Sequence, residues 1–205
     1  MKSRSIAVSL AALWACGVFA AAEEQGWIEL FDGKSLKNWK ASEGVDSWRV
    51  EDGCIVGTGR PRSHLFYVGP EAPFKNFVLK VDCWTKPGSN SGIYFHTRYQ
   101  PRDWPAYGYE AQVNNSHADW RRTGSLYGVV NVPYSLAKDG QWWTQTIIVR
   151  GKRIVIKVND QVVVDYTEPP KVKGTRRLSQ GTIAFQAHDP TCLVKYRNIR
   201  ILPLD

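Results

Sequence analysis

The chain has 205 residues, a formal net charge of +8 and 43% hydrophobic residues, enough for one domain with a sizeable core. Its basic residues are scattered apart from Arg121-Arg122 and Arg176-Arg177, which argues against nucleic acid, a partner that calls for a basic stripe or cluster. No apolar run beyond Phe19 is long enough to cross a bilayer as a helix, so no transmembrane segment is expected in the mature chain.

At the start, Lys2 and Arg4 precede the apolar run from Ile6 to Phe19, and Ala20-Ala21-Ala22 offers small residues for cleavage. That order of features predicts a secretory signal peptide over residues 1–22. Lipoprotein processing at Leu13-Trp14-Ala15-Cys16 is the rival reading, opposed by the bulk of Trp14. The expectation is an exported protein, periplasmic or secreted, with a single domain over residues 23–205.

From there on, helical periodicity is nearly absent and period-two segments recur between Gly, Pro, Asn and Asp signals. Trp48-Arg49-Val50 leads through Glu51-Asp52-Gly53 into Cys54-Ile55-Val56, a predicted hairpin. "NFVLKVDCWTK" and "SGIYFHTRY" read as two strands joined by Pro87-Gly88-Ser89-Asn90. "GYEAQV" starts as a strand, and residues 114–141 then form the longest stretch without a strong strand pattern. A loop of that length in one domain tends to be functional. "WWTQTIIVRGKRIVIKVNDQVVVDY" reads as three strands, and "GTIAFQAHD" and "LVKYRNIRIL" close the chain. Many short antiparallel strands without crossover helices predict an all-β sandwich or barrel and exclude a doubly wound sheet.

Cysteine carries little of the chemistry. An oxidising compartment permits one bridge among Cys54, Cys83 and Cys192, leaving one thiol over, whereas Cys83 falls on the apolar side of its strand, where a free thiol simply packs. There is no CxxC pattern.

Alternation along three strands gathers polar groups. Glu110, Gln112 and Asn114 share one face against Tyr107, Tyr109, Ala111 and Val113. Gly92, Tyr94, His96 and Arg98 oppose Ile93 and Phe95, while Thr182, Ala184, Gln186 and His188 oppose Ile183, Phe185 and Ala187. Solvent-facing polar positions are the ordinary explanation for such a pattern in a sandwich. The residue types argue for more: planar amides and carboxylates bind vicinal hydroxyls, and aromatic faces stack on sugar C–H bonds. Nine tryptophans suit both core packing and sugar stacking.

The usual catalytic templates are missing: no HExxH, no GxSxG, no P-loop and no dinucleotide fingerprint. Glu110, Asp103, Asp119 and Asp189 are available for a glycosidase carboxylate pair, but no spacing marks one. Glu110 with His188 makes a carboxylate–imidazole couple suited to moving protons near neutral pH. His64 and His117 read as loop histidines, and His96 as either a surface or a site residue.

The segments "IELFDGKSLKNWK", "WRVEDGCIVGTG", "NSGIYFHTRY", "GYEAQV", "TGSLYG", "IKVNDQVVVDY", "FQAHDP" and "YRNIRI" resemble, in the same order, the 3-keto-disaccharide hydrolase domain family. The resemblance runs from about Gly26 to Leu204. It implies a concanavalin A-like sandwich, a jelly roll of two antiparallel sheets, and action on glycosides whose sugar carries a ketone at C3. The ketone acidifies C2–H, so a base removes that proton, the C1 substituent leaves by β-elimination, and water adds. In that chemistry Glu110 and His188 are the expected catalytic pair. Asn90, Tyr94, Arg98, Gln112 and Tyr127 are expected to hold the sugar, with Trp104 or Trp120 as a stacking platform. No cofactor is demanded, and a divalent metal ion held by His188 and Glu110 is left open. The alternative of another class is a lectin-like, non-catalytic carbohydrate-binding module.

Overall fold

Long alternating runs set the frame. In Asn76–Thr85 the even positions are half-buried while Phe77, Leu79, Val81 and Cys83 are buried, as a strand with one face on a core requires. The computed structural model describes residues 25–205; the expected leader over residues 1–22, Cys16 included, lies outside the described residues.

The described chain forms thirteen strands: β1 (Ile28–Glu29), β2 (Trp39–Ala41), β3 (Trp48–Glu51), β4 (Cys54–Gly57), β5 (Ser63–Tyr67), β6 (Asn76–Thr85), β7 (Ser91–Thr97), β8 (Tyr109–Val113), β9 (Trp143–Arg150), β10 (Arg153–Val158), β11 (Gln161–Thr167), β12 (Thr182–Ala187) and β13 (Val194–Leu204). One 3-10 turn, Val45–Ser47, is the only helical element among the described residues. Eight strands make one sheet, in the order β11-β10-β9-β6-β13-β4-β3 with β1 also on β13, and five make the other, β2-β5-β12-β7-β8. All pairings are antiparallel. The expected β3–β4 hairpin is present, and residues 86–90 carry the chain from β6 in the large sheet to β7 in the small one.

The two sheets face each other across one apolar layer. Phe185 of β12 stacks on Tyr196 of β13 at 4.1 Å between ring centroids, joining the sheets through aromatic faces, and on Trp39 of its own sheet at 5.0 Å. Cys54, Cys83 and Cys192 are free and buried, so the bridge that an oxidising compartment permits is not formed.

The small sheet departs from the simple sandwich in a way that builds the site. Every residue of β7, β8 and β12 is buried, on the outward face as well as on the core face. The ordinary expectation of an outer face open to solvent therefore fails for these three strands, because loops roof it. The connection after β8 folds back along that strand's free edge: Gln112 N donates to Ser125 O, Gly124 N to Gln112 O, and Tyr127 N to Glu110 O. The edge is thereby capped, and Tyr127 is pinned beside Glu110.

Candidate active site

Glu110, Tyr94 and Gln186 come from three neighbouring strands of the small sheet. Tyr94 faces Glu110 in the β7–β8 register, and β12 lies on the other side of β7. With Gln112, Asn90 and His188 they line a cavity of about 190 Å³, walled also by Trp104, Pro105, Tyr127 and Arg176. A cavity of about 150 Å³ admits benzene, so this one suits a single six-membered ring.

The Glu110 carboxylate is almost wholly withdrawn from water, with 4% exposure. Burial pushes its pKa up to about 7, despite the opposing hydrogen bond from Tyr94 and the positive charge of Arg176. Gln186 Nε2 donates to Glu110 Oε1 at 3.3 Å and to the Tyr94 hydroxyl at 2.9 Å. Gln112 Nε2 donates to Asn90 Oδ1 at 3.0 Å. Both amides are thereby oriented, and each has a carbonyl oxygen that no protein donor meets. Gly92 makes room for the carboxylate: a Cβ there would stand 2.8 Å from Glu110 Cδ.

His188 follows β12 and is held by its neighbour, with Nδ1 and Asp189 Oδ2 2.9 Å apart. Asp189 also lies 3.4 Å from His117 Nε2. Burial opposes ionisation of Asp189, but hydrogen bonds from the Thr191 hydroxyl and amide and from His188 outweigh it and hold its carboxyl below the usual value. Trp104, 42% exposed, stands beside His188 at 5.3 Å between ring centroids and beside His64 at 5.4 Å, with the Arg62 guanidinium 4.6 Å from its ring. It is braced from behind and open in front, as a stacking platform must be.

Thus Glu110, His188, Asn90, Tyr94, Gln112, Tyr127 and Trp104 meet in one cavity, and two expected residues do not. Arg98 is turned away because β7 bulges at His96, whose φ of +54° breaks the alternation; its guanidinium sits 3.2 Å from the Tyr107 ring centre instead. Trp120 is 52% exposed in the loop after β8, next to Arg121 and outside the cavity wall.

Other expectations are corrected in the same way. Tyr107 does not share the face of Tyr109, since Gly108 with φ +72° separates it from the strand. Asn114 binds no ligand space: its amide ties His117 N, Asp119 O and Arg121 O together. His96 packs between Phe77 and Phe95 and bonds to Lys75 O and Ser179 N. His64 is no loop residue but a fully buried member of β5, 5.6 Å from the Tyr94 ring. Arg176 also lines the cavity, and its only signal in the sequence is membership of a basic pair in a segment without periodicity.

Among the described residues no group of three or more His, Cys, Asp or Glu side chains is placed to hold a metal ion. The remaining polar wall is amide, phenol and the Arg176 guanidinium, a cation, with Glu110 bonded to Tyr94 and Gln186 and His188 bonded to Asp189. This donor set does not fit a resident divalent ion, and no step proposed below passes through one.

Residues 26–202 match the 3-keto-alpha-glucoside-1,2-lyase-like domain family. The chain belongs to that family. A 3-keto-disaccharide hydrolase of Bacteroides thetaiotaomicron is 28% identical over 172 residues, covering 70% of this chain and 59% of the relative. The chain therefore matches less than two thirds of that relative's length. Among solved structures, a protein described as a glycosyl hydrolase from Parabacteroides distasonis superposes with a TM-score of 0.76 at 24% identity, covering 90% of this chain and 97% of the other. The carbohydrate-binding module CBM66 of Bacillus subtilis follows the same fold with a TM-score of 0.58 at 14% identity, covering 80% and 94%. These likenesses place the 3-keto-alpha-glucoside-1,2-lyase-like domain among two-sheet jelly rolls, a fold that carries both catalysis and binding.

Proposed function

We propose that the protein is an exported enzyme that cleaves 3-keto-glycosides by removing the C2 proton, eliminating the C1 substituent and adding water. The observation that carries this reading is a lone buried carboxylate of pKa about 7 in the wall of a ring-sized cavity. Glu110 is the one carboxylate among the lining residues. Glycosidases that pass through an oxocarbenium ion need two, flanking the scissile bond. Proton transfer at carbon needs a single base whose pKa sits near the working pH.

In this reading the ionised Glu110 takes the C2 proton and the C–H electron pair moves to the C3 oxygen as an enolate. The Arg176 guanidinium supplies the positive charge that favours this oxyanion. Collapse of the enolate restores the ketone, forms the C1–C2 double bond and breaks the bond from C1 to the leaving oxygen. His188 protonates that oxygen. Its Nδ1 is engaged by Asp189, which leaves Nε2 for the substrate. Water then adds at C1, with its proton passing to His188, and C2 recovers a proton from Glu110. Atoms balance as net hydrolysis, without an oxidant.

The carbonyl oxygens of Gln112 and Gln186 lack protein donors and call for ligand hydroxyls. Incubating the protein with a 3-keto-glucoside in D2O tests the reading: Glu110 exchanges its proton with solvent between elimination and hydration, so aglycone release with deuterium at C2 of the product is expected. Release without C2 label and without a detectable 2-hydroxy-glucal intermediate means direct displacement. Saturable binding of an unoxidised glycan with no turnover means a lectin-like module, the reading favoured by the likeness to CBM66.

A further inference from the structure

Arg176 and Arg177 are adjacent in sequence, yet Arg176 lines the cavity of Glu110 while Arg177 lines a separate groove. That groove consists of two cavities of about 240 and 310 Å³ that share Arg177 and Ser179. Arg98 stands in the first; Lys152 and Lys171 stand in the second. The carboxylate in its wall, Glu168, is 3% exposed and already accepts from the Tyr109 hydroxyl, the Leu178 amide and Lys152. Arg98, Arg177 and Lys171 have no carboxylate partner among the described residues.

The groove is a product of the fold. The His96 bulge turns Arg98 off the catalytic face, and Ser179 N donates to His96 Nδ1 at 3.1 Å, fixing the dividing segment against the bulge. Holding Arg98 over the Tyr107 ring restrains its guanidinium and leaves the N–H edge for an oxyanion. Thr97, in the same wall, has a buried hydroxyl with no hydrogen-bond partner.

We propose that this groove binds the anionic groups, sulfate ester or carboxylate, of an acidic polysaccharide. Unpaired guanidiniums held in a fixed fork recognise planar or tetrahedral oxyanions. The assignment to a glycan rests on the carbohydrate reading of the neighbouring cavity, from which the groove is separated by one stretch of chain. The proposal concerns binding and needs no turnover.

The test is calorimetric titration of the full protein with dextran sulfate, polygalacturonate and neutral dextran. At least one anionic polymer is expected to bind, and Arg98→Ala/Arg177→Ala to weaken it at least tenfold. Lys34→Ala/Lys37→Ala, which removes the same charge from two exposed positions elsewhere, is expected to leave binding unchanged. Binding of the sulfated polymer alone assigns the groove to sulfate esters, of polygalacturonate alone to carboxylates, and of both to their shared oxyanion chemistry. Equal weakening in both double variants means diffuse attraction to a basic protein and overturns the proposal. Failure of both anionic polymers to bind, or equal binding of neutral dextran, does so too. Cleavage of a small neutral 3-keto-glucoside is expected to be the same in the arginine double variant as in the parent; its loss would make the groove part of the catalytic cavity.

Discussion

Glu110 keeps its position only because residue 92 has no side chain. The carboxyl group lies across Gly92 of the neighbouring strand, where an added Cβ would stand 2.8 Å from both Cδ and Cγ. A glycine inside a strand weakens it, and a close approach of another group is what such a position serves. Gly92→Ala therefore leaves the sheet intact while displacing the Glu110 carboxylate, the proposed base. A misplacement of about 1 Å can cost on the order of a hundredfold in rate, so kcat/KM on a 3-keto-glucoside is expected to fall at least tenfold. Thermal unfolding is expected to move by only a few degrees. Parent-like turnover in Gly92→Ala would mean that the carboxylate position does not matter.

Glu110→Gln removes the proposed base and keeps the shape. Activity is expected to drop about 10²- to 10⁴-fold, the usual contribution of a positioned acid–base group. With the base ionising near pH 7, parental kcat/KM is expected to rise as pH is raised from 5 to 7. Stability follows the opposite course. The folded pKa of about 7 lies above the ordinary 4.5, so the folded state holds this proton more tightly than the unfolded chain. Its stabilising contribution is complete below pH 4.5 and is lost as pH rises through 7. Urea denaturation should then show Glu110→Gln gaining on the parent between pH 5 and pH 8, by up to about 3 kcal/mol.

His64 imposes an acid limit. Burial first, and the charges of Arg62 and His188 after it, lower its pKa to about 3 from the ordinary 6.5. The folded state keeps the ring neutral, so its contribution is present above pH 6.5 and shrinks as pH falls toward 3. The loss runs at about 1.4 kcal/mol per pH unit. His64→Phe, which fills the same space between Phe66, Tyr94 and Trp104, is expected to flatten the acid limb of stability. Melting temperatures at pH 4.5 and pH 7 decide it: an unchanged pH dependence would assign the limb to other groups.

Asp189 is a positioning residue for His188. Asp189→Asn keeps the volume but allows an amide hydrogen to face the imidazole, so Nδ1 no longer has an obligatory acceptor. An at least tenfold fall in kcat with little change in KM is expected, because the cavity-lining groups proposed to hold the sugar, Gln112, Tyr127 and Trp104, are untouched. A rise in KM at constant kcat would instead place Asp189 among the binding groups.

The strands were legible wherever an apolar face meets a half-exposed one. β6, β9 and β10 show this most clearly, because a two-residue period is forced by one-sided burial. Alternation also put Glu110 with Gln112, and Gln186 with His188, on faces that do line the cavity. The same rule misplaced Arg98, Tyr107 and His96, because it assumes an unbroken strand. A bulge at His96 and a left-handed Gly108 are local changes in backbone hand that a hydrophobic pattern does not register. Asn114 failed for a different reason: a loop claimed its amide before any ligand could.

By itself the sequence determined an all-β antiparallel chain, a sandwich or a barrel, and the polar composition of one face, since both follow from side-chain period and turn chemistry between near neighbours. Only the tertiary structure decided that this face is roofed, that Arg176 joins it and that Glu110 titrates near pH 7. Removing a carboxylate from water takes atoms contributed by residues 92, 94, 127 and 186, brought together from separate strands and a loop. Desolvation is a property of that three-dimensional surround, so it has no signature in the order of residues around position 110.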